Sequence, residues 1–565
     1  MIRRLTAGAV ATATGLALVL AVPAGPATAA PAAPTGPTEY TVVAEDGVSA
    51  DAAIAAITAA GGTVVSRNDG VGMFKVVSAR GDFTDRATAA QELIGATKAR
   101  PVGFAPKLRK PDDVEREGTT ARDQPTRSNR PARMDPLDDK LWGLDMVRAD
   151  EARRKAPGKR SVTVGVMDTG LDASNPDLSP NFDAKLSRNF APDRPEFDGP
   201  CEVPSCLDPV GTDDNGHGTH VAGTIGAAAN GIGVSGVAPK VTLVELKAGT
   251  DYGYFFLDAV VNSLTHAADV GLDVVNMSFY VDPWLYNCLD NAADSPAERA
   301  EQRATIRAVT RALNYAHKRG VTLVGSLGNN HEDLGKPRTE TGSPNPGTPR
   351  PRPIDNNTCW DLPVEGPHVI GVSAVGPSGQ KADYSNYGTE QVSVAAPGGW
   401  YRDGFGTPSF QSTGNLILSS YPKKVLQEDG RVDAAGNVTP AAADSVFKDC
   451  SRTGRCGYYA YLQGTSMASP HVTGVAALIV SKFGRDDKRR PGLTMAPDVV
   501  EQHLYRTAAE RACPTPRLRS YVPEGRSLEF DALCEGGENF NGFYGYGIVD
   551  AYAAVTTPLR PGQRP

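Results

Sequence analysis

Three short stretches carry residues that could do chemistry together. "QGTSMASPHVTG", residues 463–474, sets Ser466 among glycine, alanine and threonine, with no charge beside it. A hydroxyl is a poor nucleophile until a neighbouring base takes its proton. "DNGHGTHVAGTIG" offers that base, His217, at the start of a helix of small residues. It can serve only if its second ring nitrogen is held by an acceptor. Asp168, closing the run "VTVGVMD", would supply a buried carboxylate for this. The small neighbours of Ser466 leave room for a substrate carbonyl, and the helix that follows directs backbone N–H groups at the negative oxygen. Pro470 suits the first turn of that helix, where its missing N–H would have been unpaired anyway. Other readings exist for each residue. Asp168 alone reads as the cap of a turn. His217 and His220, three apart, could share a helical face as metal ligands, but no glutamate joins them in an H-E-x-x-H pattern.

These residues need a frame. "SVTVGVMD", "VTLVELK", "LDVVNMS", "VTLVGSLG", "HVIGVSAV" and "QVSVAAP" are β-branched and nearly continuous, as strands buried on both faces should be. Helical segments lie between them, among them 297–319, which Gly320 would end. The alternation predicts an α/β fold, a parallel sheet with helices on both faces, and a ligand site beyond the carboxyl ends of the strands. The proline-rich stretch from His331 to Trp360 and the segment 400–459 read as inserted surface loops.

"DTGLD", "NGHGTHVAGTIG" and "GTSMASPHVTG", in that order, resemble the three signature blocks of subtilisin-like serine proteases, whose triad order is Asp, His, Ser. The resemblance covers about residues 135–555, and "YGYGIVDAYAAV" is similar to the family's closing helix. It implies catalytic roles for Asp168, His217 and Ser466, with no cofactor required for the chemistry. It further implies that Asn329 in "GSLGNN" donates to the oxyanion, and that Asp177 and Asn230 sit at a structural calcium site. Ser278 would lie beside the substrate. Here the chain departs from the family, because "NMSFYVDPW" puts Phe279 and Tyr280 where a small residue and glycine are usual. The three are expected to contact substrate, with the side-chain preference left open. An esterase with a G-x-S-x-G elbow fits less well, since Ala468 takes the last glycine position and the triad order differs.

The rest of the chain divides accordingly. Residues 1–29, with Arg3 and Arg4 before a short apolar run and a small-residue cleavage site, read as a signal peptide, and the product as secreted. The apolar run is too short for a membrane anchor, which needs about 20 residues. Residues 38–106 read as a small ferredoxin-like α+β module similar to the family's inhibitory propeptide. Residues 107–134 form a polar linker too poor in apolar residues to order itself and open to an activating cut. The catalytic domain spans 135–557 and a tail 558–565. Eight cysteines fit an oxidising compartment, and proximity in sequence pairs Cys201 with Cys206, Cys450 with Cys456, and Cys513 with Cys534, leaving Cys288 with Cys359. A net charge of -7 argues against nucleic acid as a partner. The function expected is a secreted endopeptidase made as a monomeric zymogen and acting on protein or peptide substrates. The alternatives are a maturation protease dedicated to one peptide partner and a catalytically silent binding protein.

Overall fold

The computed structural model describes residues 37–98, 114–118, 135–487 and 492–562. The expected signal peptide and most of the linker lie outside the described residues.

A seven-stranded parallel sheet carries the fold. Its order is Val394–Pro397, Val369–Val375, Thr322–Ser326, Val274–Met277, Thr163–Asp168, Thr242–Lys247 and the short Arg188–Asn189. The six longer strands are the six apolar runs read from the sequence. The chain builds one half of the sheet outward from Thr163–Asp168, then returns to add Val274–Met277 on the other side. Order reverses between these two neighbours, so a crevice opens beyond their carboxyl ends. Asp168 and Ser278 lie at its two lips. Helices His217–Gly226, Leu257–Val270, Pro296–Lys318 and Thr465–Phe483 cover the sheet. The third begins at a capping box, Ser295 with Glu298, and stops at Gly320, which takes φ +95°.

Residues 38–98 form a β-α-β-β-α-β module with a four-stranded antiparallel sheet, one helix and one strand more than its clearest sequence runs suggested. Its own core closes around Val42, Ile57, Phe74 and Phe83. The opposite side docks on the helix Pro296–Lys318, where Val43, Val71 and Met73 share an apolar cluster with Ala304, Ala308 and Ala312. Burying such side chains stabilises by about 1.5–3 kcal/mol each. Arg311 adds bonds to the carbonyls of Ala44, at 2.9 Å, and Val71, at 3.0 Å.

Both expected surface loops keep exposed turns but also contribute paired strands and buried side chains. In the first, Arg338–Glu340 pairs with Arg352–Ile354, and the fully buried Arg352 guanidinium reaches Asp294 at 2.9 Å and Glu340 at 2.8 Å. In the second, Ile417–Ser420, Val446–Cys450 and Cys456–Leu462 make a three-stranded antiparallel sheet over the His217 helix. Irregular period misled in both cases because long-range ion pairs and cross-strand partners, not local periodicity, order these segments. All four expected disulfides are present. Pro470 lies at the sixth position of its helix, past the first turn. Lacking an N–H, it cannot bond the carbonyl four residues back, that of Ser466. The Ser278 hydroxyl donates to that carbonyl instead, at 3.1 Å.

Candidate active site

Asp168, fully buried at the end of its strand, accepts the Thr169 N–H at 2.8 Å and faces His217 Nδ1 at 2.7 Å. Close approach of helix to strand end makes this possible, and glycine permits it. A Cβ on Gly218 would stand 2.1 Å from the Gly170 carbonyl oxygen. The helix start is pinned further by Thr169 Oγ1, which accepts the Gly218 N–H at 3.0 Å, and by Asp213, which accepts from Thr219. With one nitrogen held by a carboxylate, Nε2 of His217 is turned to a cleft of about 360 Å³.

Ser466 lines the same cleft as the second residue of its helix. Its hydroxyl donates to the Ser278 carbonyl at 3.4 Å. Asn329, at the end of the neighbouring strand, is fixed by its own carbonyl oxygen, which accepts the N–H and hydroxyl of Thr465, both at 2.9 Å. Its Nδ2 and the Glu115 carboxylate both border Gly464, two residues before Ser466.

An unforeseen group completes the site. Val114–Gly118, from the expected linker, lies in the cleft. Gln463 holds it, its N–H bonding the Glu115 carbonyl at 3.1 Å and its Nε2 the Val114 carbonyl at 2.8 Å. Glu117 pairs with Arg402 and Arg526, both at 2.7 Å. The Glu115 carboxylate accepts from the Ser466 hydroxyl and stands 3.5 Å from His217 Nε2. Burial alone would lower the pKa of His217, but Asp168 and Glu115 on its two sides raise it well above the ordinary imidazole value. Burial would raise the pKa of Glu115, and the imidazole and hydroxyl bring it below the usual carboxylate range. A polar segment is ordered here because backbone bonds and ion pairs replace the apolar burial it lacks. Nothing in the sequence marks Glu115 or Gln463.

The other expected residues fall as follows. Phe279 stacks on Phe255 with ring centroids 4.1 Å apart, and with Tyr280 it lines the cleft. Ser278 lines it too, but its hydroxyl is committed to the Ser466 carbonyl and to Ser469. His220 turns away from His217, its Nε2 between the carbonyls of Ile417 and Ala460, and burial lowers its pKa to about 3. The two histidines do not share a metal.

Asp177 and Asn230 do meet, and the buried Oδ1 of Asp177 and Oδ2 of Asp135 have no hydrogen-bond partner among the described residues. The other groups turned into the loop, however, are N–H donors and a hydroxyl rather than the oxygen ligands calcium takes. Asp177 Oδ2 accepts the Val234 N–H at 3.0 Å and the Tyr459 hydroxyl at 2.7 Å. The loop also turns its N–H groups inward at Gly231, toward Asp135, and at Gly233, toward Asp449. Asn230 spends its side-chain oxygen on the Ile232 N–H. A Cβ on Gly233 would lie 1.8 Å from the Tyr459 hydroxyl, so that phenol fills the space inside the loop.

A buried aspartate at the foot of the cleft, a histidine and a serine on two helices, and a parallel sheet beneath them make up the subtilisin architecture. The Peptidase_S8 profile of the subtilase family matches residues 159–547. The chain belongs to the subtilase family and is a subtilisin-like serine protease, whose substrates are proteins or peptides. It is 28% identical to subtilisin DY of Bacillus licheniformis over 60% of this chain and 85% of that one. It is 29% identical to fervidolysin of Fervidobacterium pennivorans over 70% of this chain, spanning 43% of that longer protein. Among solved structures it resembles the epidermin leader peptide processing serine protease of Staphylococcus aureus, with a TM-score of 0.59 and 18% identity, over 92% of this chain and 98% of the other. No helix among the described residues is long and apolar enough to cross a membrane.

Proposed function

We propose that the chain is a secreted endopeptidase made as a zymogen, with Ser466 as nucleophile, His217 as base and then acid, and Asp168 as the group that orients the imidazole. The observation that carries this reading is the 2.7 Å contact of Asp168 with His217 in the cleft that Ser466 lines. Once the cleft is clear, His217 takes the Ser466 proton as the oxygen attacks the peptide carbonyl. The tetrahedral oxyanion is held by the Asn329 amide and the Ser466 N–H. The imidazolium then protonates the leaving amine, and water, activated by the same base, hydrolyses the acyl-enzyme. No metal takes part in these steps.

The zymogen reading rests on Val114–Gly118. Residues 38–106 serve as the inhibitor module, 107–134 as the linker to be cut, and 135–557 as the catalytic domain. Arg3, Arg4 and the apolar run after them support export. A maturation protease for one peptide partner is a second reading, favoured by the walls that Phe279 and Tyr280 add to the cleft. The test is Ser466→Ala in the exported full chain. Linker cutting and casein hydrolysis should vanish, a loss of about 10⁶-fold by the measure of subtilisin itself. Normal self-processing by this variant would end the proposal, and cleavage at many sites of a peptide library would exclude the dedicated processor.

A further inference from the structure

At the edge of the sheet opposite the cleft, three side chains from three separate elements converge. His317 is the penultimate residue of the helix Pro296–Lys318, and His368 immediately precedes the strand Val369–Val375. Asp498 lies in the first turn of the helix Pro497–Thr507. The strands that follow His317 and His368 are parallel neighbours, with Leu323 opposite Val369. Both histidines therefore sit at the amino ends of strands, whereas the cleft lies beyond the carboxyl ends.

The contacts among them are close. The two imidazole rings lie face to face, with centroids 3.7 Å apart and planes within 8°. His317 Nε2 stands 2.8 Å from Asp498 Oδ1, and His368 Nε2 donates to Asn314 Oδ1 at 3.1 Å. One ring nitrogen of each histidine and a carboxylate oxygen all lie within 4.8 Å of one another. His368 reaches this place at φ +66°, uncommon for a residue other than glycine. Glu501, on the helix of Asp498, and Lys318 flank the group with opposite signs.

Two imidazoles and a carboxylate are a donor set for zinc, whereas calcium takes oxygen ligands alone. Three protein donors leave the fourth tetrahedral position to water. Zinc bonds of about 2.0–2.2 Å put such donors about 3.3 Å apart, so the group must close by up to about 1.5 Å. Parallel rings do not aim at one point, and one of them must tilt. His368 is exposed and can do so, and the Asp498 side chain, 64% exposed, has room to follow. The ion takes the place of the proton that His317 and Asp498 share, which is released on binding.

We propose that His317, His368 and Asp498 form a site for a zinc-type divalent cation, which ties the ends of two helices to the edge of the sheet. The site stands apart from the protease chemistry, and its test does not depend on that reading.

The experiment is calorimetric titration of zinc chloride into the exported full chain carrying Ser466→Ala, made without a histidine tag and freed of metal with EDTA. The expected result is one equivalent of zinc bound with micromolar affinity or better. His368→Gln and Asp498→Asn change exposed side chains and leave the core intact. Each should weaken binding at least about 10–100-fold, the loss that even an outer partner of a metal ligand produces. Hydrogen exchange should slow on zinc addition at residues 314–320, 366–370 and 497–502, and in neither variant. A chain that binds no zinc overturns the site. So does zinc that binds both variants as tightly as the parent, or that slows exchange only in other segments.

Discussion

Glu115 and Asp168 grip the same imidazole from opposite edges, Glu115 at 3.5 Å from Nε2 and Asp168 at 2.7 Å from Nδ1 of His217. A proton held at Nε2 between His217 and Glu115 leaves that nitrogen no lone pair with which to take one from Ser466. His217 has its pKa raised in the occluded form, so the pair's contribution to occlusion is fully present below the ordinary imidazole value, about 6.5. It is lost as pH rises through the raised value. Linker cutting should therefore turn on with a midpoint at higher pH than peptide cleavage by the mature enzyme. Glu115→Gln should bring the two midpoints together. Identical pH profiles for wild-type and Glu115→Gln processing would rule out the ion pair as the brake.

Asn329 offers a narrower test. Its side-chain oxygen accepts from Thr465, which turns the amide N–H₂ toward Gly464 beside the start of the Ser466 helix. Asn329→Ala should lower kcat by about 10²–10³ with little change in KM, a magnitude carried over from the same donor in subtilisin. A drop confined to KM would place Asn329 in ground-state binding instead.

Calcium should not matter for stability. N–H groups of the loop 230–234 and the Tyr459 hydroxyl already bond the carboxylates of Asp177 and Asp449, leaving a cation to compete with them. Thermal unfolding of the Ser466→Ala protein should give the same Tm in EDTA and in millimolar calcium. A rise of several degrees with calcium would contradict the described loop. Gly233→Ala, in contrast, should destabilise, since its Cβ meets Tyr459 and the backbone sits at φ +52°.

Arg352 anchors the insertion that runs from His331 to Trp360. Its guanidinium is wholly buried between Asp294 and Glu340. Arg352→Met leaves Glu340 buried without its cation and Asp294 with Arg350 alone, which by analogy with other broken buried pairs costs about 3–5 kcal/mol. Denaturant unfolding in the Ser466→Ala background measures this. A loss below about 1 kcal/mol would mean that the segment is held by its disulfide alone.

The six long strands, the three signature blocks and the close cysteine pairs were legible in the chain because each is a local signal, and Cys288 with Cys359, 71 positions apart, followed only as the pair left over. Apolar runs, small residues around a nucleophile and cysteines a few positions apart announce themselves within a short window. Asp168, His217 and Ser466 could be named for that reason before any distance was known. Three-dimensional packing alone decided what surrounds them. Glu115 lies in a polar run with no period and reaches the cleft through contacts with Gln463 and Ser466, hundreds of positions away. The calcium loop has two of the residues a metal would need, yet Tyr459, from a strand far along the chain, takes the space. A pattern can specify which side chains are able to react, but the partner that protonates, charges or displaces them is chosen by packing between distant segments, and that energy has no local signature.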